Sequence, residues 1–238
     1  MSLDSNMSEI VNISFDKTFE NCKLPINQLL TTEQQAIIMD NINIVSYNRK
    51  DIIVKQFSAS SHIYYIIKGI LKVSSEQRKG KNLVVKIDTT GSFVGLISLL
   101  GGDSYNFTVT AVENCTLAQI PIATLKSVML QNSRFALEIS QLTCRHGLFL
   151  VNRLAGLLYK QLPGRVADLI LYFADDIFCN NEFEFPANRT ELAELCGTTK
   201  ESLIRTLSEF NHDRIIELQR NRIRIISYDI LKTLSRFG

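Results

Sequence analysis

The 238-residue sequence has no tryptophan, only four prolines and three histidines, and just five cysteines. Each scarcity excludes something. Cys22, Cys115, Cys144, Cys179 and Cys196 are odd in number and far apart, with no Cys-x-x-Cys pair. That disfavours a disulfide framework and predicts free thiols in a reducing compartment. His62, His146 and His212 fall in separate segments, without His-x-His or His-x-x-x-His spacing. No metal site is expected from them, and no cofactor. No apolar run reaches the roughly 18 residues that a membrane span requires. The first residues, Met1 to Glu9, show no basic stretch followed by an apolar one. Neither a signal peptide nor a membrane partner is expected, and the predicted localisation is cytoplasmic. Charge of one sign is missing too: 26 Lys and Arg stand against 24 Asp and Glu, a net +2. Bulk electrostatics announce no acidic partner, so any nucleic-acid contact must come from a local site.

What is present is an ordinary globular composition, 45% apolar and 21% charged, enough for a core in one large or two ordinary domains. The chain changes character near its middle. From about residue 43 to 122 it reads as strands. Phe107-Thr-Val-Thr-Ala-Val112 alternates apolar and polar positions. His62-Ile-Tyr-Tyr-Ile-Ile67 and Asn82-Leu-Val-Val-Lys-Ile87 are short, β-branched and aromatic. Turn residues separate them at Lys68-Gly69, Lys79 to Asn82 and Thr90-Gly91. Short strands at such spacing predict an antiparallel sandwich or barrel.

From about 123 to 176 the pattern turns helical. Leu137, Gln141, Cys144, Leu148, Val151, Ala155 and Leu158 follow a 4-3-4-3-4-3 spacing, about three heptads of seam. A seam of this length marks a helix that pairs with a partner helix. Leu150, Leu154 and Leu157 widen the stripe enough to pack on the chain's own domain as well. Pro163-Gly164 is expected to break the run, and a new apolar helix is expected from Arg165.

Two short helices and a hairpin follow a short alternating segment and turn over 178–188. Asn188 with Glu191 makes a capping-box start to the first helix, Gly197 punctuates, and Thr198 with Glu201 repeats the start signal for the second. Leu203, Leu207 and Phe210 form the inward face of that second helix, while Glu201, Arg205 and Ser208 project from the other side. A glycine-containing turn between two short helices is the helix-turn-helix pattern. Ile215 to Gln219 and Arg222 to Ile226, flanking Arg220-Asn221, predict a hairpin behind it, a wing.

From about residue 24 to 234 the sequence resembles the Crp/Fnr family of bacterial transcription regulators. Three stretches carry the resemblance: His62 to Val73, a strand–glycine–strand signature; Gly91-Ser-Phe-Val-Gly95, a glycine-bracketed turn; and Asn188 to Leu207 with the hairpin after it. The resemblance implies an α+β fold: an N-terminal antiparallel double-stranded β-roll (jelly-roll-like), a long dimerisation helix and a C-terminal winged helix-turn-helix. The corresponding parts are an N-terminal tail at 1–23, a cyclic-nucleotide-binding-like effector domain at 24–130, the helix at 131–162 and the DNA-binding domain at 163–238. It implies a homodimer on pseudo-palindromic double-stranded DNA, with RNA polymerase as a further partner and no enzymatic activity. Lys200, Glu201 and Arg205 fall on the family's base-reading positions, and Asn188, Arg189, Thr199 and Ser202 fit phosphate contacts. Arg205 is suited to fork onto guanine O6 and N7, Glu201 to accept from a cytosine amino group, while Lys200 cannot make a planar bidentate contact.

The sequence departs from the family's cyclic-AMP-binding members at three places. Their Gly-Glu-Leu segment reads Gly95-Leu96-Ile97 here, their Arg-Ser pair reads Tyr105-Asn106, and their Thr-Ser pair on the long helix aligns with Leu150-Val151. Burying a cyclic phosphate without a fixed cation costs several kcal/mol. These seven residues therefore mark an effector pocket unsuited to cyclic AMP, its small-molecule effector unknown. An iron–sulfur branch would need clustered N-terminal cysteines, and only Cys22 lies there. Two other readings stay open at this point: a ligand-binding signalling module whose C-terminal domain contacts protein, and a cupin-like metalloenzyme on the shared double-sheet architecture.

Overall fold

The computed structural model describes residues 29–78 and 81–238. The tail at 1–23, Cys22 and the expected start of the β-roll at 24–28 lie outside the described residues. The chain divides into two compact units. One comprises residues up to Val73 together with Asp88–His146, the other Ser74–Ile87 together with Gly147–Gly238.

The N-terminal half is built on antiparallel strands, of which the stretch Ser74–Ile87 belongs to the second unit. After a short helix α1 (Thr32–Met39) come β1 (Asn43–Tyr47), β2 (Ile52–Val54), β3 (His62–Lys68), β4 (Ile70–Arg78), β5 (Lys81–Thr89) and β6 (Phe93–Val94). A helix α2 (Leu96–Gly101) separates them from β7 (Thr108–Ala111) and β8 (Cys115–Pro121). They form two four-stranded sheets, ordered β1-β8-β3-β6 and β2-β7-β4-β5. β3 pairs with β8 from His62 opposite Pro121 to Lys68 opposite Thr116, with an irregularity near its end.

Side chains alternate across a strand, so β3 serves two cores. Ile63 and Tyr65 pack with Ile38, Leu125, Phe135 and Ile139, whereas Tyr64 and Ile66 pack with Leu71, Val109 and Leu117. Four consecutive buried positions on β3 are the reason its sequence reads as a continuous apolar run rather than an alternating one. β7, buried on one face, keeps the alternation that its sequence shows. Between β3 and β4, Gly69 takes φ +110, and a Cβ there would lie 2.5 Å from Cys115 Sγ and 3.0 Å from its Cα. Only glycine serves both the turn and the contact.

Helices α3 (Ile122–Gln131) and α4 (Ser133–Tyr159) follow. Asn132 ends the first in an extended conformation, and its Oδ1 accepts from Phe135 N. Phe135 and Ile139 bury one face of α4 in the core of the first unit. All seven seam residues, Leu137, Gln141, Cys144, Leu148, Val151, Ala155 and Leu158, lie exposed along α4. Leu148 and Val151 each leave 60% of their surface uncovered and Leu158 leaves 68%.

The second unit contains α5 (Leu162–Leu171), a π-helical turn (Tyr172–Ile177), β9 (Glu182–Glu184), α6 (Arg189–Cys196), α7 (Lys200–His212), β10 (Ile216–Gln219), β11 (Arg222–Ile225) and α8 (Tyr228–Phe237). Its sheet runs β10-β11-β9, with Ile223 opposite Leu218 on one side and Phe183 on the other. Phe173, Phe183 and Phe185 form an aromatic centre, Phe183 and Phe185 meeting edge-to-face at 5.5 Å.

Two local expectations are corrected here. The long helix breaks at Lys160-Gln161, before Pro163, because proline sits in the first turn of α5, where its missing N–H costs nothing. Gly164 neither caps nor breaks. It is buried within α5, where a Cβ would lie 2.8 Å from the Gly238 carbonyl and 2.9 Å from Leu234 O. The glycine lets the end of α8 approach α5. The start of α7 is also one residue later than expected: Thr199, not Thr198, is the N-cap, its side chain accepting from Ser202 N.

Candidate nucleic-acid interface

The helix pair is assembled from local signals outward. Asn188 Oδ1 accepts from Thr190 N and Glu191 N, and Glu191 Oε2 accepts from Asn188 N at 3.0 Å, a closed capping box. α6 buries Leu192, Ala193, Leu195 and Cys196. It ends at Gly197 in the left-handed region, φ +59, where a Cβ would lie 2.5 Å from Leu157 Cδ2. α7 then starts at its Thr199 cap and buries Leu203, Thr206, Leu207 and Phe210.

Burial of that stripe dictates what the helix presents outward. Lys200, Glu201, Arg205, Ser208 and Glu209 are exposed. Lys200 and Arg205 take part in no ion pair within 4.0 Å among the described residues. Each leaves its cation available to a ligand, and the α7 N-terminus adds a partial positive charge beside them. Ser202 is half-buried and its hydroxyl lies 3.1 Å from that of Thr199, so both are partly engaged in the cap. Asn188 is exposed, but its side-chain oxygen is committed to the capping box.

Arg189 is placed differently from what its sequence position implies. Its guanidinium lies 5.5 Å from the Phe185 ring centre and donates to Arg220 O in the hairpin turn, and Nη1 is buried without a hydrogen-bond partner. Burial lowers its pKa below the ordinary arginine value. This is a clamp between α6 and the β10–β11 turn, not a side chain standing in solvent.

Sequence reasoning passed over Ile204. It lies next to Arg205 on α7 with 40% of its surface exposed. The signal was there: a β-branched apolar residue one step, about 100°, beyond inward-facing Leu203. An uncovered apolar side chain beside an uncovered guanidinium suits a base edge that offers a methyl group next to hydrogen-bonding atoms.

None of the seven residues aligned with the effector pocket is charged. Leu96 is buried in the core with Ile63 and Phe93, Ile97 is half-buried, and Asn106 is exposed. Tyr105 is 5% exposed. Its hydroxyl donates to His62 O at 2.7 Å and accepts from His62 N at 3.2 Å. A Cβ on Gly95 would touch its ring at 3.5 Å. The Tyr105 phenol is thereby locked to the backbone of β3. The nearby Tyr64 hydroxyl is pushed up to about 12, chiefly by burial, and stays neutral. Leu150 and Val151 belong to the second unit, on α4. Among the described residues, no group of three or more His, Cys, Asp or Glu is arranged to hold a metal ion. No helix there is long and apolar enough to cross a membrane.

Comparison with known proteins agrees with this geometry. Residues 44–132 match the cyclic nucleotide-binding domain and residues 164–234 the Crp-like helix-turn-helix domain. The cAMP-activated global transcriptional regulator CRP of Salmonella typhimurium is 21% identical over 182 residues, covering 75% of this chain and 87% of that protein. Among solved structures, FixK2 from Bradyrhizobium japonicum superposes with a TM-score of 0.76 at 17% identity, covering 81% of this chain and 96% of the other. A Crp/Fnr family transcriptional regulator from Thermus thermophilus gives 0.65 at 18% identity, covering 82% and 98%.

Proposed function

We infer that this chain, a member of the Crp/Fnr family of transcription regulators, acts in the cytoplasm as a homodimer that reads a pseudo-palindromic site in double-stranded DNA. The observation that carries this reading is the outward face of α7. Its two cations are unpaired among the described residues, its apolar stripe is fully buried, and its start is fixed by a cap. Such a helix is suited to the major groove, where each base pair offers a distinct pattern. In this reading Arg205 forks onto a guanine, Glu201 accepts from a cytosine amino group, and Lys200 adds a single-point contact. Ile204 rests on a thymine methyl. Thr199 approaches a phosphate through its backbone N–H, and Asn188 and Ser202 through what remains of their side-chain capacity, since their own N–H groups close the caps. Arg189 acts indirectly, by tying α6 to the wing.

The exposed α4 seam supports pairing of two chains. Three heptads of uncovered Leu, Val and Ala leave too much apolar surface for a helix that stays in water. Parallel pairing places two α7 helices for half-sites about one helical turn (~34 Å) apart. RNA polymerase is the further partner in this reading. The salmonella relative is activated by cAMP by name. In this chain Tyr105 and Leu96 support a β-roll kept as scaffold, without cyclic-AMP binding.

The test is binding-site selection on wild type and Arg205→Ala. Losing a bidentate base contact costs ~1–3 kcal/mol and relaxes preference at one position per half-site. A uniform loss of affinity with an unchanged motif would show that Arg205 grips phosphate or supports the fold instead.

A further inference from the structure

A cavity of about 250 Å³ lies within the second unit, walled by Phe149, Leu157, Leu169 and Leu195 and lined by Arg153, Lys160, Arg165 and Asp168. Its charges do not balance. Asp168 is taken by Lys160 at 2.7 Å and also accepts from Ser235 Oγ. Arg153 and Arg165 take part in no ion pair among the described residues. Arg153 donates only to carbonyls, those of Val84, Val85 and Leu195. Arg165 donates from Nη1 to Gly197 O at 3.0 Å, and its Nε is buried without any acceptor.

Both guanidinium groups thus gather at the C-terminal end of α6. A helix terminus supplies roughly half a negative charge, which offsets only part of two full cations. Cys196, between them, contributes none, because burial pushes its thiol up to about 12. Both arginines are half-buried; a partly desolvated cation without a counterion is costly, and the wall beside them is apolar. The combination fits a ligand with one negative end and an apolar body. The volume falls just below the ~300 Å³ where drug-sized sites begin, so the ligand is small.

We propose that this cavity binds a small organic monoanion, a carboxylate on an apolar body, with the carboxylate held by Arg153 and Arg165. Arg153 also holds the carbonyls of Val84 and Val85, so an occupant competes with these hydrogen bonds. Nothing in this site depends on DNA binding by α7.

The experiment titrates the full chain, without DNA, with octanoate and with octanamide as its neutral counterpart. Octanoate is expected to bind saturably, one per chain, and octanamide about tenfold or more weaker, the loss of a charge-assisted pair. Arg165→Gln places a neutral amide near the Nε position and removes the charge, and is expected to weaken octanoate by a similar factor. Hydrogen exchange on wild type supplies an arm that needs no variant: octanoate should slow exchange in segments 149–157 and 165–172. Equal binding of octanamide, no saturable octanoate binding, an unchanged affinity in a folded Arg165→Gln, or protection confined to the first unit would each overturn the proposal. Because the titration contains no DNA, its failure leaves the reading of α7 untouched, and failure of site selection leaves the cavity untouched.

Discussion

Gly197→Ala tests how the helix pair is held together. Two costs follow from the geometry. The first is backbone strain: Gly197 has φ +59, where an L-residue with a Cβ costs ~1–2 kcal/mol. The second is contact. The new Cβ would lie 2.5 Å from Leu157 Cδ2, so something must move. Leu157 Cδ2 is the tip of a flexible side chain, which places this cost near the low end of overpacking, ~1 kcal/mol. Together they predict a loss of ~2–3 kcal/mol, or a fall of ~4–12 °C in melting temperature for a protein of this size. Urea unfolding of Gly197→Ala, Leu157→Ala and the double variant separates the two. In the Leu157→Ala background the clash is gone and only the strain remains, so Gly197→Ala should cost ~1–2 kcal/mol there. Gly197→Asn gives an independent arm, since asparagine tolerates this φ but retains the clash. A neutral Gly197→Ala, or a cost that disappears entirely with Leu157→Ala, would refute the reasoning that backbone conformation dominates at this position.

Further expectations concern assembly, the wing and the thiols. Replacing Leu148 and Val151 together with Glu should abolish dimers in sedimentation, since two charges buried at a pairing seam cost several kcal/mol. Because both side chains are 60% exposed in the single chain, the monomer's own unfolding should change little, and a variant that stays dimeric would place the interface elsewhere. Arg189→Ala should lower stability by ~1–2 kcal/mol through loss of the Phe185 contact and the hydrogen bond to Arg220 O. The salt dependence of DNA binding should keep its slope, and a slope flattened by about one ion would return Arg189 to the phosphates. Cys144 and Cys179 are exposed, while Cys115 and Cys196 are buried and burial raises the pKa of each. Alkylation of the native protein should label the first two and spare the second two. For Cys196 the folded thiol holds its proton to about 12 against an ordinary 9.0, so between those values the unfolded chain releases a proton that the folded chain keeps. Stability from this group is complete below pH 9 and drains as pH rises, and Cys196→Ala should shallow alkaline unfolding over that window.

Much of the architecture was legible in the chain because local rules and burial agree along it. The alternation at 107–112 became a strand buried on one face, and the capping box at Asn188 closed as its spacing implied. The exposure of the stripe at 137–158 is consistent with its heptad spacing, which needs no knowledge of the rest of the fold. The inward stripe of α7, and hence the outward placement of Glu201, Arg205 and Ser208, followed from helical periodicity alone.

What the sequence by itself determined is therefore what depends on neighbours within a few residues: element type, the buried face and the cap residues, with Thr199 displaced by one position because two adjacent threonines offer the same cap. What only the tertiary structure decided depends on residues distant in the chain. Arg189 is a clamp rather than a free cation because Phe185 and Arg220 are brought beside it. Gly164 is small because α8 arrives against α5, not because a helix ends there. Tyr105 is locked because β3 passes its hydroxyl, 43 residues away in sequence. Arg153 and Arg165, 12 residues apart on different helices, converge on the end of α6. Periodicity says which way a side chain points from its own backbone, but the partner it meets there is set only when distant segments pack.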